Sequence, residues 1–101
     1  MANFAVTMQH GPRWDAARGT REQDGWPAHA AFMDALVDDG FVIIGGPLDS
    51  GEPLLAVEAA HEQAVRDRMA ADPWALTGHL LVGAVRPWSL WLDCRTTRSG
   101  G

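Results

Sequence analysis

The order of strand-like and helix-like apolar patterns along this chain limits the folds that it can adopt. Runs rich in β-branched or alternating apolar residues predict four strands, at Asn3–His10, Phe41–Pro47, Leu54–Glu58 and His79–Val85. Apolar residues at helical spacing predict two helices, from Pro27 to about Asp39 and from Ala60 to Ala71. The order β-α-β-β-α-β predicts an α+β domain of the ferredoxin-like type, in which two helices pack on one face of a four-stranded antiparallel sheet.

Turn and breaker residues mark the ends of these elements. Gly40 is a typical stop for the first helix. The turn signal Asp49-Ser50-Gly51 predicts a hairpin between the second and third strands. Asp72 ends the second helix because a residue before proline is excluded from the helical region, and Pro73–Leu76 is predicted to begin a short extra turn.

The remaining segments carry weaker patterns. Gly11–Gly25 is polar and rich in breakers, and a loop this long in a compact domain is typically a lid, a binding loop or disordered. Pro87–Asp93 is predicted to continue the last strand as an edge segment, and Ser99–Gly101 is predicted to be a frayed end. We therefore expect a single domain over residues 1–98.

Composition narrows the classes of function. A net charge of -5 gives no electrostatic reason to bind nucleic acid or an anionic membrane surface. The N-terminus shows no signal peptide and no apolar stretch could span a bilayer, so a cytoplasmic location is the expectation. Cys94, the single cysteine, cannot form an intrachain disulfide. No two of the 4 histidines have the helical spacing of a zinc site, and we predict no metal.

The strand sequences also bear on the oligomeric state. Three of the strands read as apolar on both faces, with Val42 and Ile44 on one face of the second strand and Val82 opposite Val85 in the last. Two helices cover only one face of a sheet, and large exposed apolar patches are uncommon in soluble monomers. We therefore predict a homodimer in which a second copy covers the other face. The alternative is that the C-terminal segment with Trp88 and Trp91 folds across it.

His29 and Asp72 are the candidate functional residues. His29 shares a helical face with Phe32, Met33, Leu36 and Val37. An imidazole on an apolar face needs a polar partner or an open pocket, because a buried unpaired polar group is costly. Asp72 stands immediately before Pro73-Trp74, where an aspartate commonly caps the next turn.

Several segments together resemble the YCII-related family of small proteins with a ferredoxin-like fold that dimerise as α/β barrels. The matching segments are Pro27-Ala28-His29, Gly40–Pro47, Ala71-Asp72-Pro73-Trp74 and Val85-Arg86-Pro87-Trp88, and the resemblance spans roughly residues 3 to 92. It implies an active-site pair of a histidine on the first helix and an aspartate before the proline, here His29 and Asp72. Many members have almost no loop where this chain has the insertion at residues 11–25, which we expect to reshape or cover the pocket.

A carboxylate that accepts a hydrogen bond from one imidazole nitrogen makes the other nitrogen a better base. The pair therefore predicts acid–base chemistry, such as elimination, isomerisation or hydration, on a small organic molecule that the resemblance suggests is aromatic. No dinucleotide or flavin fingerprint is present, so we expect no cofactor. Two alternatives stay open: purely structural roles for His29 and Asp72, and a non-catalytic dimeric module that binds a small ligand or serves as an accessory to another protein.

The remaining candidates are substrate-binding residues. Trp26 and Trp74 flank the pair in sequence and are predicted to be pocket walls that stack on a planar ligand. The alternative is that these large aromatic residues anchor the core or a dimer interface. Gly46 and Pro47 offer a backbone that a ligand can approach closely, and His10, at the end of the first strand, could join the pocket. The simpler interpretation of Gly46 and Pro47 is a strand end that leads into a hairpin, and that of His10 is a surface histidine. His61 and His79 are predicted to be exposed.

Overall fold

The sheet and helices follow the predicted order along the chain in the computed structural model, which describes residues 1–95. The strands are β1 (Ala2–His10), β2 (Val42–Pro47), β3 (Pro53–Ala59) and β4 (Leu80–Pro87). The helices are α1 (Trp26–Asp38), α2 (Glu62–Met69) and α3 (Pro73–Thr77). The predicted α+β class is confirmed, with a third short helix where the sequence indicated an extra turn. The predicted frayed end at Ser99–Gly101 lies outside the described residues.

The four strands form one antiparallel sheet in the order β2-β3-β1-β4. This topology is compatible with a ferredoxin-like fold. β2 and β3 pair directly, so the predicted hairpin is confirmed. The central pairings place Val6 opposite Leu55 on one side and Val85 on the other, and residues paired in this way share a face of the sheet.

Two register shifts correct the predicted faces of the outer strands. Val42 pairs with Val57, and Ile44 pairs with Ala56, the neighbour of Val57 in β3. Since adjacent residues of a strand point to opposite faces, Val42 and Ile44 lie on opposite faces. In β4 a second shift brings Val82 and Val85 onto the same face. A bulge inserts one extra residue into a strand and reverses its alternation from that point, which a simple period of two does not anticipate.

The hydrophobic core lies between one face of the sheet and the helices. Its buried members include Phe4, Val6, Met8, Leu55, Val57 and Val85 from the strands, and Leu36, Val65, Met69 and Trp74 from the helices. Of the predicted inner face of α1, Leu36 is buried and Phe32 and Met33 are half-buried. Val37 is exposed because it lies over an open cleft.

The other face of the sheet is mixed in character. Ile44 is 70% exposed there, whereas Thr7 and Gln9 place polar side chains on the same side. The prediction that Pro87–Asp93 extends the last strand is wrong beyond Pro87, since only the Trp88 amide continues the pairing, to the Asn3 carbonyl at 2.9 Å. In the described part of the chain, no helix is long and apolar enough to cross a membrane.

The last described residues return toward this outer face. Arg95 reaches to within 4.0 Å of Glu58, which pairs with Asn3 on that side of the sheet. Arg95 also hydrogen-bonds to Asp93 and thereby lowers the pKa of that carboxyl to about 2. The segment covers the face only in part, because Trp91 and Leu92 remain 85% and 99% exposed.

Candidate active site

The start of α1 fixes the position of His29. Gly25 precedes the helix with a φ of 81°, in the left-handed region that favours glycine, and Pro27 occupies the first turn, where its missing amide costs nothing. The His29 amide donates to the Gly25 carbonyl at 3.1 Å. The imidazole is thereby directed inward, and only 7% of the residue is exposed.

His29 and Asp72 are in direct contact although they lie 43 positions apart in the sequence. Nδ1 of His29 is 2.9 Å from both Oδ1 and Oδ2 of Asp72. The Asp72 side chain is completely buried. An ionised carboxylate only accepts hydrogen bonds, so beside an ionised Asp72 the donor is Nδ1, and a neutral ring with this tautomer has a lone pair on Nε2.

Asp72 also caps the following helix. Its Oδ1 accepts from the Trp74 amide at 2.9 Å, and it is the N-cap residue of α3. The sequence offered capping and pairing with His29 as alternatives, and the structure combines them. The cap holds the carboxylate in place, and the carboxylate in turn orients the imidazole.

The second nitrogen of His29 is available to a ligand. Nε2 has no hydrogen-bond partner among the described residues, and the unpartnered side-chain nitrogens that are shut off from solvent there belong to Asn3 and His10. His29 lines a cleft of about 540 Å³. The imidazole therefore contacts a buried carboxylate on one side and an open cleft on the other.

Tryptophan rings hold the imidazole from the sides. The Trp74 ring stacks on His29 with a centroid distance of 4.0 Å and an interplanar angle of 8°. Its Nε1 donates to the Asp24 carbonyl at 2.8 Å, which fixes the indole in turn. Trp26 lies 5.8 Å from both rings, centroid to centroid. These contacts keep the imidazole plane from rotating.

The cleft brings together most of the residues that the sequence singled out. Its lining includes His10, Trp26, His29, Gly46, Pro47 and Trp74. Asp72 is not part of the lining, because it lies behind His29. The cleft extends from α1 to the hairpin of β2 and β3, so a ligand in it contacts groups that are distant in sequence.

Two features of the site were not predicted from the sequence. The 11–25 segment was expected to reshape or cover the pocket, but Trp14 was not singled out: it stacks on His10 at 3.9 Å, meets Trp74 edge-on at 5.6 Å and lines the cleft. A large aromatic residue within a polar segment was the available signal. The predicted exposure of His79 is wrong, since it is 7% exposed and bonds Thr77 Oγ1 at 2.7 Å. Its amide bond to the Trp74 carbonyl turns it inward.

The metal-binding residue types, His61 and Cys94 were also considered as sites of other chemistry. Over residues 1–95, no three His, Cys, Asp or Glu side chains are grouped so that they could hold a metal ion. His61 is exposed, as expected, and its Nδ1 caps α2 by accepting from the Ala64 amide at 3.1 Å. Cys94 is exposed and free.

Comparison of the chain with protein-family models, curated protein sequences and solved structures found no match.

Proposed function

We propose that this protein is a cofactor-independent acid–base enzyme that acts on a small, planar organic molecule, with His29 as the acid or base and Asp72 as its orienting residue. One observation carries the proposal. The Nδ1 atom of His29 is bonded to a buried carboxylate while Nε2 faces a cleft with tryptophan walls. If Asp72 served only as a helix cap and His29 only packed in the core, Nε2 would not need to face an open cleft.

The geometry suits removal of a proton from substrate carbon or oxygen. Nε2 accepts the proton, and the imidazolium that forms is stabilised by the Asp72 carboxylate at Nδ1 and by the face of the Trp74 ring. His29 then returns the proton to the product or to a leaving group. General acid–base catalysis of this kind contributes about 10²- to 10⁴-fold to a rate. Elimination, isomerisation and hydration are the reaction types that need no further group.

The proposal includes a relationship to the YCII-related proteins and a dimeric α/β barrel. It is supported by a strand order compatible with the ferredoxin-like plan and by the exposed Ile44 on the outer sheet face. Light scattering coupled to size-exclusion chromatography tests the assembly. We expect a dimer at micromolar concentration, and a monomer would refute this part of the proposal.

Proton abstraction can be tested without knowing the reaction. Small aromatic and carbonyl compounds are incubated with the protein in D₂O, and exchange of their C–H positions is followed by ¹H NMR. For compounds that bind, we expect wild type to catalyse the exchange. Exchange should be at least about 10²-fold slower in His29→Gln, because a general base contributes about that much or more to the rate.

The matched control is His61→Asn, which changes an exposed histidine and retains a side chain that caps helices. It should exchange at the wild-type rate. Ligands that bind the cleft without any exchange would favour the non-catalytic binding module instead. Exchange that is equal in wild type and His29→Gln would show that His29 is not the base.

A further inference from the structure

Arg21 supplies a positive charge to the lining of the cleft. Among the described residues that line the cleft it is the only arginine or lysine, and it makes no ion pair or side-chain hydrogen bond there. The carboxylates of its own segment are engaged elsewhere. Asp24 pairs with Arg18 at 3.2 Å, and Glu22 accepts from the Gly19 amide at 3.1 Å. The Arg21 guanidinium is therefore free to bind an anion.

Gln23 holds the segment that carries Arg21. This side chain is buried, and its Oε1 accepts from the Asp15 amide at 2.9 Å. Its Nε2 donates to the carbonyls of Asp15 at 2.7 Å and Arg18 at 3.0 Å. Arg21 lies two residues before it, in a 3-10 helix at Thr20–Glu22 that contacts α1. The backbone that carries Arg21 is thus held in place before any ligand binds.

The cleft lining carries one acidic residue among the described residues. Asp34 follows His29 by five residues on α1, about 7.5 Å along the helix axis. Arg21 belongs instead to the segment that leads into the first turn of that helix. An anionic group in the cleft is therefore attracted by Arg21 and repelled by Asp34.

We propose that the cleft selects an aromatic carboxylate, and that Arg21 binds its anionic group while the half-buried rings of Trp14 and Trp26 contact the aromatic ring. Guanidinium and carboxylate match in geometry, and ligand sites combine an apolar lining with a few polar groups that orient the ligand. This inference rests on the proposed function, because it names the substrate class of the same cleft.

Benzoate and its neutral isostere benzamide are the probes, and binding to the full chain is measured by isothermal titration calorimetry. We expect wild type to bind benzoate about tenfold more tightly than benzamide, the effect of one charge-assisted hydrogen bond. Arg21→Gln should remove this preference and leave benzamide binding unchanged. Asp34→Asn should strengthen benzoate binding, because it removes the opposing charge.

Arg13→Gln is the matched control, since it removes the same charge from the same segment at a residue outside the cleft lining. It should retain the preference for benzoate. Equal affinities of wild type for the two probes, no benzoate binding, or an equal loss in Arg13→Gln would overturn the proposal. The calorimetric experiment measures binding alone. If wild type prefers benzoate but catalyses no proton exchange, the proposed enzyme activity is refuted and the proposed ligand class is retained.

Discussion

Removal of the Asp72 carboxylate should destabilise the fold substantially, because two buried donors depend on it. In Asp72→Ala, Nδ1 of His29 and the amide of Trp74 both lose an acceptor that lies at 2.9 Å. A buried donor left without a partner costs about 1–3 kcal/mol, so the two together predict a loss of about 3 kcal/mol in the free energy of unfolding. Few single substitutions of a polar residue have so large an effect.

Urea denaturation followed by tryptophan fluorescence measures this loss. Asp67→Ala is the control. Asp67 is exposed, and within residues 1–95 its side chain hydrogen-bonds only to Gln63, at 2.8 Å, so its removal should change stability by less than about 0.5 kcal/mol. A double-mutant cycle with His29→Ala should give a coupling energy of about 1–3 kcal/mol between the two side chains. A loss for Asp72→Ala no larger than for Asp67→Ala, or strictly additive effects in the cycle, would show that the buried donors do not depend on Asp72.

Three further predictions concern the surroundings of the site. Gln23→Ala should lower the free energy of unfolding by about 2 kcal/mol, because a buried amide with several backbone bonds is lost, whereas the exposed Gln63→Ala should be nearly neutral in the same urea titration. Gly11→Ala should destabilise by about 1–3 kcal/mol, since its Cβ would lie 2.1 Å from a backbone oxygen of the turn before β4, while Gly46→Ala, which meets nothing within 4 Å, should not change the melting temperature. Trp74→Phe removes the indole bond to a backbone carbonyl and should shift the ¹H resonances of the stacked imidazole, and unchanged resonances would contradict the observed stacking.

Local patterns were sufficient to predict the elements of the fold. Each strand and helix lies within about two residues of its prediction, because Pro73, Gly40 and the Asp49-Ser50-Gly51 turn act locally on the backbone. The faces of β2 and β4 could not be predicted. A bulge is set by pairing across the sheet, as between Ile44 and Ala56, and the sequence of one strand does not contain that information.

The contact between His29 and Asp72 could be predicted, and the construction of the cleft around them only in part. An apolar helical face and an Asp-Pro pair singled out His29 and Asp72, the resemblance to the YCII-related family implied that they form a pair, and the fold brings them to 2.9 Å. Trp14 was missed as a wall of the cleft, because its position depends on Gln23 tying together backbone groups of a segment without periodicity. His79 was assigned to the surface because a turn that directs a strand-end side chain inward has no distinctive pattern.

The protonation of the His29 ring decides whether Asp72 prepares this histidine for proton transfer. Two-bond ¹H–¹⁵N NMR correlations identify which ring nitrogen carries the proton in the neutral form, with His29→Gln used to assign the signals. We expect a proton on Nδ1, bonded to Asp72, and an unprotonated Nε2 facing the cleft. A neutral ring with its proton on Nε2 would contradict this expectation, because Asp72 would then not be the acceptor that prepares this histidine for proton transfer.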